Sequence, residues 1–575
     1  MVSREEMPWS QTDIINQSTW IGTEDLPLFG MLSFPASCSV RGGVIIAPPV
    51  GFEARAARRA LRKLAILLAE HDFIALRFDY LGTGDSSGDF GSALPNPQWL
   101  IDVEVAASYL RELGVQSVSA VGMRLGATIV GVAANHRHLD LESFVAWDPC
   151  ETGRSYLREL GALESLRRKI APENEDGVVE TAEFLFSQEM ANSMRKLKLS
   201  EFSSANDAKR CLVVTREHRP LSSSLKDVLA KGKVEFESTS EQESLIDVHP
   251  FFAKIPDSTI SRIVSWIAKD QDSTYINIEV EPRTTVHLSG KNANISEHAL
   301  QIGPRGLFAI TSEPVGVSSG PRIVLLGGIH EDHTGPSRLW VELSRRWAEV
   351  GLRCTRLDVS GMGESARLHD DPPMQTIDQI WINDVTEIGR SLSPADPSDC
   401  VYVGMCSGAF LALQAAFESG ARGLCLINPT GSTDYAHAIA RLEKSSSKLA
   451  HWFAITLKGI LEPHPLLGSI LWYFLRRPLP RRWSTDVTRT ILSRGTDIYV
   501  LATPDELSPY QNVPMLRRFS RQRPNTGGNY PFIHVAGLDH DMTFAEGRKR
   551  TAELMQDYVA RRYGSGNPTN QSTGV

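Results

Sequence analysis

Two short turns in this sequence have the residue types and spacing that nucleophilic catalysis needs, and only one of them carries a nucleophile. Val403-Gly404-Met405-Cys406-Ser407-Gly408-Ala409 follows a strand-like run and precedes the helix-like stretch FLALQAAFESG. Val121-Gly122-Met123-Arg124-Leu125-Gly126-Ala127 stands in the same context earlier in the chain. Both fit a strand–turn–helix frame written G-x-nucleophile-x-G. Such a turn strains its central residue, tolerates only small neighbours, and leaves the central side chain standing above the sheet. Cys406 can attack a carbonyl as a thiolate. Arg124 cannot, because a guanidinium stays protonated in proteins. Three readings stay open for Arg124: a structural ion pair, an anion-binding group at a helix N-terminus, or a contact to the other half of the chain.

A second cluster of reactive types, His330, Glu331, Asp332 and His333, invites a metal-site reading. Its spacing lacks the helical H-E-x-x-H register, so no metal is expected, and the loop is expected to contact substrate instead. Gly361-Met362-Gly363 is too short a glycine signal for nucleotide binding. The seven cysteines are scattered and form no C-x-x-C pair. That pattern suits free thiols in a reducing cytoplasm better than disulfides or zinc.

The elements that must position these groups come from a repeat. GGVIIAPP, ARRALRKLAILLAEHDF and ALRFDYLGTGDSSG read as strand, helix, and strand with a Gly-rich loop. PRIVLLGG, SRLWVELSRRWAEVGL and CTRLDVSGMGES repeat that order in the second half. Each series continues through a helix, the turn with its flanking strand and helix, and a Pro-ended strand (SFVAWDP; GLCLINP). Alternating strands and helices specify a mostly parallel sheet covered on both faces, with reactive groups at the carboxyl ends of the strands. A length of 575 residues exceeds what one core usually supports. Two domains are therefore expected, 1–270 and 271–563, with a polar boundary near 268–275 and a disordered tail at 564–575. Insertions at about 151–207 and 431–490 are helical in pattern and interrupt the strand alternation, as lids do. The second, with HWFAITLKGILEPHPLLGSILWYFLRR, is the more apolar. Helices packing on the rest of the protein, a lid over an apolar substrate and an interfacial membrane contact remain alternatives for it. A net charge of −8 argues against a nucleic-acid partner. The polar opening MVSREEMPWSQTD carries no secretory pattern, and no 18-residue apolar stretch predicts a membrane span.

With four motifs in order in both halves, the chain resembles the α/β-hydrolase superfamily in two tandem copies. The second half, through GGIHEDHTGPSRLWVELSRRWAEVGLRCTRLDVSGMGES and VGMCSGA, is similar to bacterial serine-aminopeptidase-like and exosortase-associated hydrolases. The first half, through APPVGFEARAARRALRKLA, LRFDYLGTGDSSG and VGMRLGA, resembles their hydrolase-like companions. The resemblance implies the chain order nucleophile, acid, histidine. Asp505, just past the strand DIYVLAT, then matches the acid, with Glu506 as the alternative, and His540 matches the histidine. Cys406 would attack, His540 accept the proton, and Asp505 orient the imidazole. The oxyanion would be held by the backbone N–H of Ser407 and a second N–H near Ile329 or His330. In the first half His249 and Glu217 stand at the corresponding positions, without a nucleophile.

A thiolate favours thioesters and activated esters, so the expected reaction is hydrolysis or acyl transfer through an acyl-cysteine in a biosynthetic pathway. The expected substrate is a small acyl compound, on CoA or a carrier protein among the options, with no cofactor. Two other readings stay open: a non-catalytic pseudo-hydrolase that binds or scaffolds, and a non-covalent acid–base lyase or cyclase. The oligomeric state is open, a homodimer included.

Overall fold

A computed structural model describes residues 14–90, 95–167, 178–181, 184–203, 207–248, 250–269, 274–318, 320–328, 331–365, 379–429, 490–503, 532–540, 542 and 544–564. The chain divides into two compact units, Met1–Ala299 with Ser337–Glu342, and Leu300–Pro336 with Leu343–Val575.

In the first unit the short apolar runs form β1 (Ile14–Ile21), β2 (Leu28–Pro35), β3 (Gly42–Ala47), β4 (Phe73–Phe78), β5 (Val118–Met123), β6 (Leu141–Trp147), β7 (Ala208–Arg216) and β8 (Val234–Thr239). They make one sheet in the order β1-β2-β4-β3-β5-β6-β7-β8. β2 pairs antiparallel with both β1 and β4, and the remaining neighbours are parallel. Every residue of β3, β4 and β5 is buried, as continuous apolar strands covered on both faces should be. The covering helices are α1 (Phe52–Glu70), α2 (Leu100–Glu112), α3 (Leu125–Arg137) and α4 (Asp257–Ala268). Val44 and Ile46 of β3 pack with Leu61 and Leu64 of α1 and Ile263 of α4. Their neighbour Ile45 packs instead with Leu110 of α2 and Val130 of α3. The two-residue alternation of the strand thus feeds two separate cores.

The second sheet runs through β9 (Thr285–Ser289), β10 (Asn294–Ile302), β11 (Leu307–Pro314), β12 (Arg322–Leu326), β13 (Arg353–Leu357), β14 (Cys400–Met405), β15 (Gly423–Ile427), β16 (Asp497–Ala502) and β17 (Phe532–His534). Its order is β9-β10-β11-β13-β12-β14-β15-β16-β17. From β10 onward this repeats the order of the first sheet, with β11 antiparallel to β13 and every later pair parallel. Its helices are α5 (Leu339–Ala348), α6 (Gln379–Leu392), α7 (Ser407–Ser419) and α8 (Ala545–Tyr563).

The correspondence reaches individual hydrogen bonds. After β4, Asp79 Oδ2 accepts from Asp85 N at 3.0 Å; after β13, Asp358 Oδ2 accepts from Glu364 N at 2.8 Å. Ser86 Oγ and Ser365 Oγ donate to the carbonyls of those aspartates and accept from Phe29 N and Phe308 N. Asp102 and Asp384, on the following helices, each accept a turn amide at 2.8 Å, from Leu81 and Ser360. Trp99 and Trp381 return an indole N–H to the carbonyls of the same two turn residues.

The described part of the first insertion contains helices Gly153–Arg167 and Gln188–Arg195, as its pattern implied. Between them lies a short antiparallel hairpin, Val178–Thr181 with Phe184–Ser187, which helical periodicity did not signal. Its Val-Val and Phe-Leu-Phe runs are the β-branched and aromatic types that favour strands. The second insertion, apart from residue 490, and the tail beyond residue 564 lie outside the described residues.

Candidate active site

Both sharp turns form. Cys406 has φ 51° and ψ −116°, and Arg124 has φ 56° and ψ −122°. Cys406 N donates to Ile427 O and Arg124 N to Trp147 O, each at 3.0 Å, tying both turns to the neighbouring strand. The glycines are required by contact. A Cβ on Gly408 would fall 2.5 Å from Gly327 O, and one on Gly126 would fall 2.4 Å from Pro48 O. Helices α7 and α3 therefore start directly against the ends of β12 and β3. That places the N-terminal partial positive charge of each helix under its central residue.

In the second unit His540 lies on the loop after β17, and its Nε2 is 3.2 Å from Cys406 Sγ. The cysteine is half-buried and the histidine partly buried. Asn428, at the end of β15, holds that loop. Its Nδ2 donates to Asp539 O and His540 O, both at 3.1 Å, while its Oδ1 accepts from Thr503 N at 3.0 Å. The residue is 2% exposed with φ 43°, a conformation asparagine tolerates better than most residues. Sequence reasoning passed over Asn428. The signal was present in the paired strands GLCLINP and SFVAWDP, where Asn428 and Asp148 occupy the same place.

Ser407, buried at the first position of α7, presents its backbone N–H where the resemblance puts an oxyanion donor. Ile329, His330, Asp505, Glu506 and the first-half histidine His249 lie outside the described residues. The loop of residues 331–334 departs from expectation. His333 does not reach toward substrate: it is 1% exposed, and its Nδ1 pairs with Asp358 Oδ2 at 2.8 Å. Asp332 caps Thr334 N at 2.9 Å. Both residues brace the turn, because the Asp358 carboxylate is buried and His333 is within its reach. Glu331 alone of the three lines a cleft beside Ser407, with Val359, Met362, Trp381 and Leu411 among its walls. Among the described residues no group of three His, Cys, Asp or Glu side chains is arranged to hold a metal ion.

In the first unit Arg124 is 2% exposed and surrounded by carboxylates. Its Nε is 2.9 Å from Glu53 Oε1, its Nη2 2.9 Å from Glu159 Oε2, and its Nη1 3.5 Å from Asp148 Oδ2. Arg216 Nε adds a 2.9 Å contact to Asp148, and its Nη1 pairs with Asp247. Of the three readings of Arg124, the ion pair is what the geometry contains. Arg216, the last residue of β7, stands where Thr503 stands just past β16, because Asp148 N bonds Val214 O as Asn428 N bonds Leu501 O, while Glu217 is exposed and uses its backbone N–H on Thr239 O. Asp148 and Asn428 therefore differ for a reason. A carboxylate faces two guanidinium groups in one unit, and an amide donates to two carbonyls in the other. Burial, opposed by Arg124 and reinforced by Glu159 and Asp148, raises the Glu53 carboxyl to about 7. Burial also pushes the Cys150 thiol well above its ordinary range.

Residues 323–562 match the model of the alpha/beta hydrolase family. Among solved structures, Est1E from Butyrivibrio proteoclasticus with bound ferulic acid aligns at 18% identity and TM-score 0.35, covering 44% of this chain and 98% of its own. The Pyrococcus furiosus esterase Pf2001 aligns at 15% identity and TM-score 0.32, covering 45% of this chain and 95% of its own. No curated protein matches the sequence.

Proposed function

We propose that the second unit is a Cys-His-Asp enzyme that cleaves or transfers acyl groups from thioesters or esters through an acyl-cysteine. The observation that carries this reading is the 3.2 Å contact between Cys406 Sγ and His540 Nε2 at a strained turn. The alpha/beta hydrolase match over residues 323–562 supports hydrolase chemistry in general. In the proposed cycle His540 takes the thiol proton and Cys406 sulfur attacks the carbonyl carbon. The carbonyl oxygen gains negative charge opposite the Ser407 N–H and an N–H from Ile329 or His330. Collapse breaks the bond to the leaving thiol or alcohol, which departs with the proton held on His540. Water or another nucleophile then gives its proton to His540, attacks the acyl-cysteine, and frees the thiolate. Asp505 would hold the imidazole in the required tautomer.

The first half of the chain, divided from the second near residue 270, is proposed as a duplicated copy without this chemistry. The repeated strand order and the five repeated hydrogen-bond pairs support a duplication. Arg124, fixed among Glu53, Asp148 and Glu159, leaves no nucleophile there. The substrate is proposed to be carried on CoA or a carrier protein. Incubating the full chain with acyl thioesters and measuring intact mass tests the reading. An acyl adduct, or thiol release, that disappears in Cys406→Ala supports it. Turnover retained in Cys406→Ala would instead favour acid–base chemistry without a covalent intermediate.

A further inference from the structure

A cysteine sulfur facing an imidazole nitrogen is a pair of metal ligands as well as a nucleophile with its base. Cys406 Sγ and His540 Nε2 are 3.2 Å apart. A tetrahedral zinc ion, with Zn–S near 2.3 Å and Zn–N near 2.0 Å, holds two such atoms about 3.6 Å apart. Seating the ion therefore asks the pair to open by about 0.4 Å, a small side-chain rotation. The backbone already holds both ligands. Cys406 sits at a turn with φ 51°, tied to β15 by its N–H on Ile427 O. His540 is on the loop whose carbonyls Asn428 grips from a position 2% exposed. Ligands set in place beforehand lose little freedom when an ion binds. Both residues keep some exposure to solvent. The other thiols offer less. Cys150, Cys211, Cys354, Cys400 and Cys425 are buried, and burial keeps each as a thiol and not the thiolate that binds metal. The half-buried Cys38 makes its contact with a carbonyl, Ala36 O at 3.9 Å.

Two protein ligands fall short of the three or four that hold a resident zinc ion. Water must complete the coordination, and the partial positive charge at the start of α7 opposes a dication. An ion bound on those terms exchanges with solvent and yields to a chelator. We propose that zinc binds reversibly across Cys406 Sγ and His540 Nε2 and switches the site off. One Zn–S and one Zn–N bond form, and the ion replaces the thiol proton, which leaves to solvent. Nucleophile and base are occupied together, so neither attack on a carbonyl nor proton transfer proceeds. The loss of turnover rests on the acyl-cysteine reading, while the metal site rests on the Cys406–His540 contact itself.

The test uses the full chain, stripped with a chelator and then given zinc chloride alone. Zinc should slow iodoacetamide labelling of Cys406 by about tenfold or more, leave Cys38 unchanged, and release about one proton per ion bound. Renewed chelation should restore the labelling. His540→Ala should cut the ratio of labelling without and with zinc by about tenfold, because losing a ligand costs at least what losing its support does. Cobalt chloride should give a thiolate-to-metal absorption band that is absent in Cys406→Ser. Unchanged labelling of wild-type Cys406 in excess zinc overturns the proposal, whatever the variants do. Equal protection of Cys38, or full protection kept in His540→Ala, overturns it too. Intact mass after acyl-thioester treatment, with and without zinc, separates the two readings. An acyl adduct on Cys406 in a chain that zinc does not protect leaves the acyl-cysteine reading and removes the metal site. Zinc protection in a chain that forms no adduct keeps the metal site and overturns the acyl-cysteine reading. An adduct that forms equally fast in bound zinc overturns the switch.

Discussion

Cys406 competes with six other thiols, and the structure separates them. Cys150, Cys211, Cys354, Cys400 and Cys425 are buried, while Cys38 and Cys406 are half-buried. Burial raises the Cys211, Cys354 and Cys425 thiols well above their ordinary range and lifts Cys400 to about 12. Brief iodoacetamide treatment of the native chain near neutral pH should therefore mark Cys406 ahead of Cys38 and spare the five buried thiols. His540→Ala should slow labelling of Cys406 by about tenfold or more and leave Cys38 unchanged, because the imidazole beside Cys406 Sγ can accept its proton as the sulfur attacks. Peptide mapping reads both outcomes, and equal labelling of Cys38 and Cys406 in the wild type would sink the activated-thiol reading. Asn428 offers a second test. Asn428→Asp replaces a donor with a carboxylate facing Asp539 O and His540 O, so turnover should fall by about tenfold to a hundredfold. Labelling of Cys406 should slow with it as His540 loses its fixed position. The turn that carries Cys406 was legible because a strand, two glycines and a helix start are local in sequence. Asn428 was not, because its partners on the His540 loop are over a hundred residues away.

The turn elements make the same demand twice, with different consequences. Gly126→Ala and Gly408→Ala each drive a Cβ into a carbonyl oxygen at the end of a strand, and backbone cannot yield as a flexible side chain would. Both variants should lower the melting temperature by several degrees, a shift that differential scanning calorimetry resolves. Only Gly408→Ala should also slow acylation, because α7 carries the Ser407 N–H and sets the height of Cys406. The alternation of apolar strands and amphipathic helices predicted parallel sheets covered on both faces, and residue-by-residue burial of β3 and β12 agrees. The hairpin in the first insertion escaped that reading because strands of four residues, Val178–Thr181 and Phe184–Ser187, are too short to carry a decisive period. The bracing role of His333 escaped it because His330-Glu331-Asp332-His333 reads alike whether its side chains turn outward or inward.

At the scale of the whole molecule, the turn that carries Arg124 in one unit carries Cys406 in the other. Arg124→Met would leave Glu53, Asp148 and Glu159 facing one another without their shared cation. That variant should lose about 3–5 kcal/mol of stability in urea titration, the usual penalty for breaking a buried pair. Glu53 adds a pH dependence of definite sign. Its carboxyl is raised from 4.5 to about 7 by burial, so across that window the folded chain keeps a proton that the unfolded chain has released. Its contribution to stability is greatest at low pH and is lost as pH rises toward 7. Glu53→Gln should therefore flatten the decline in urea midpoint between pH 5 and pH 8, and an unchanged slope would refute the assignment. The sequence by itself determined the α/β class and the two turns, one centred on a cysteine and one on an arginine, because these depend on short-range pattern and residue chemistry. Tertiary structure decided that His540 meets Cys406, that Asn428 holds its loop, and that Arg124 is locked among carboxylates. Each of those depends on loops at the ends of separate parallel strands converging on one edge of a sheet, and sequence separation carries no record of that distance.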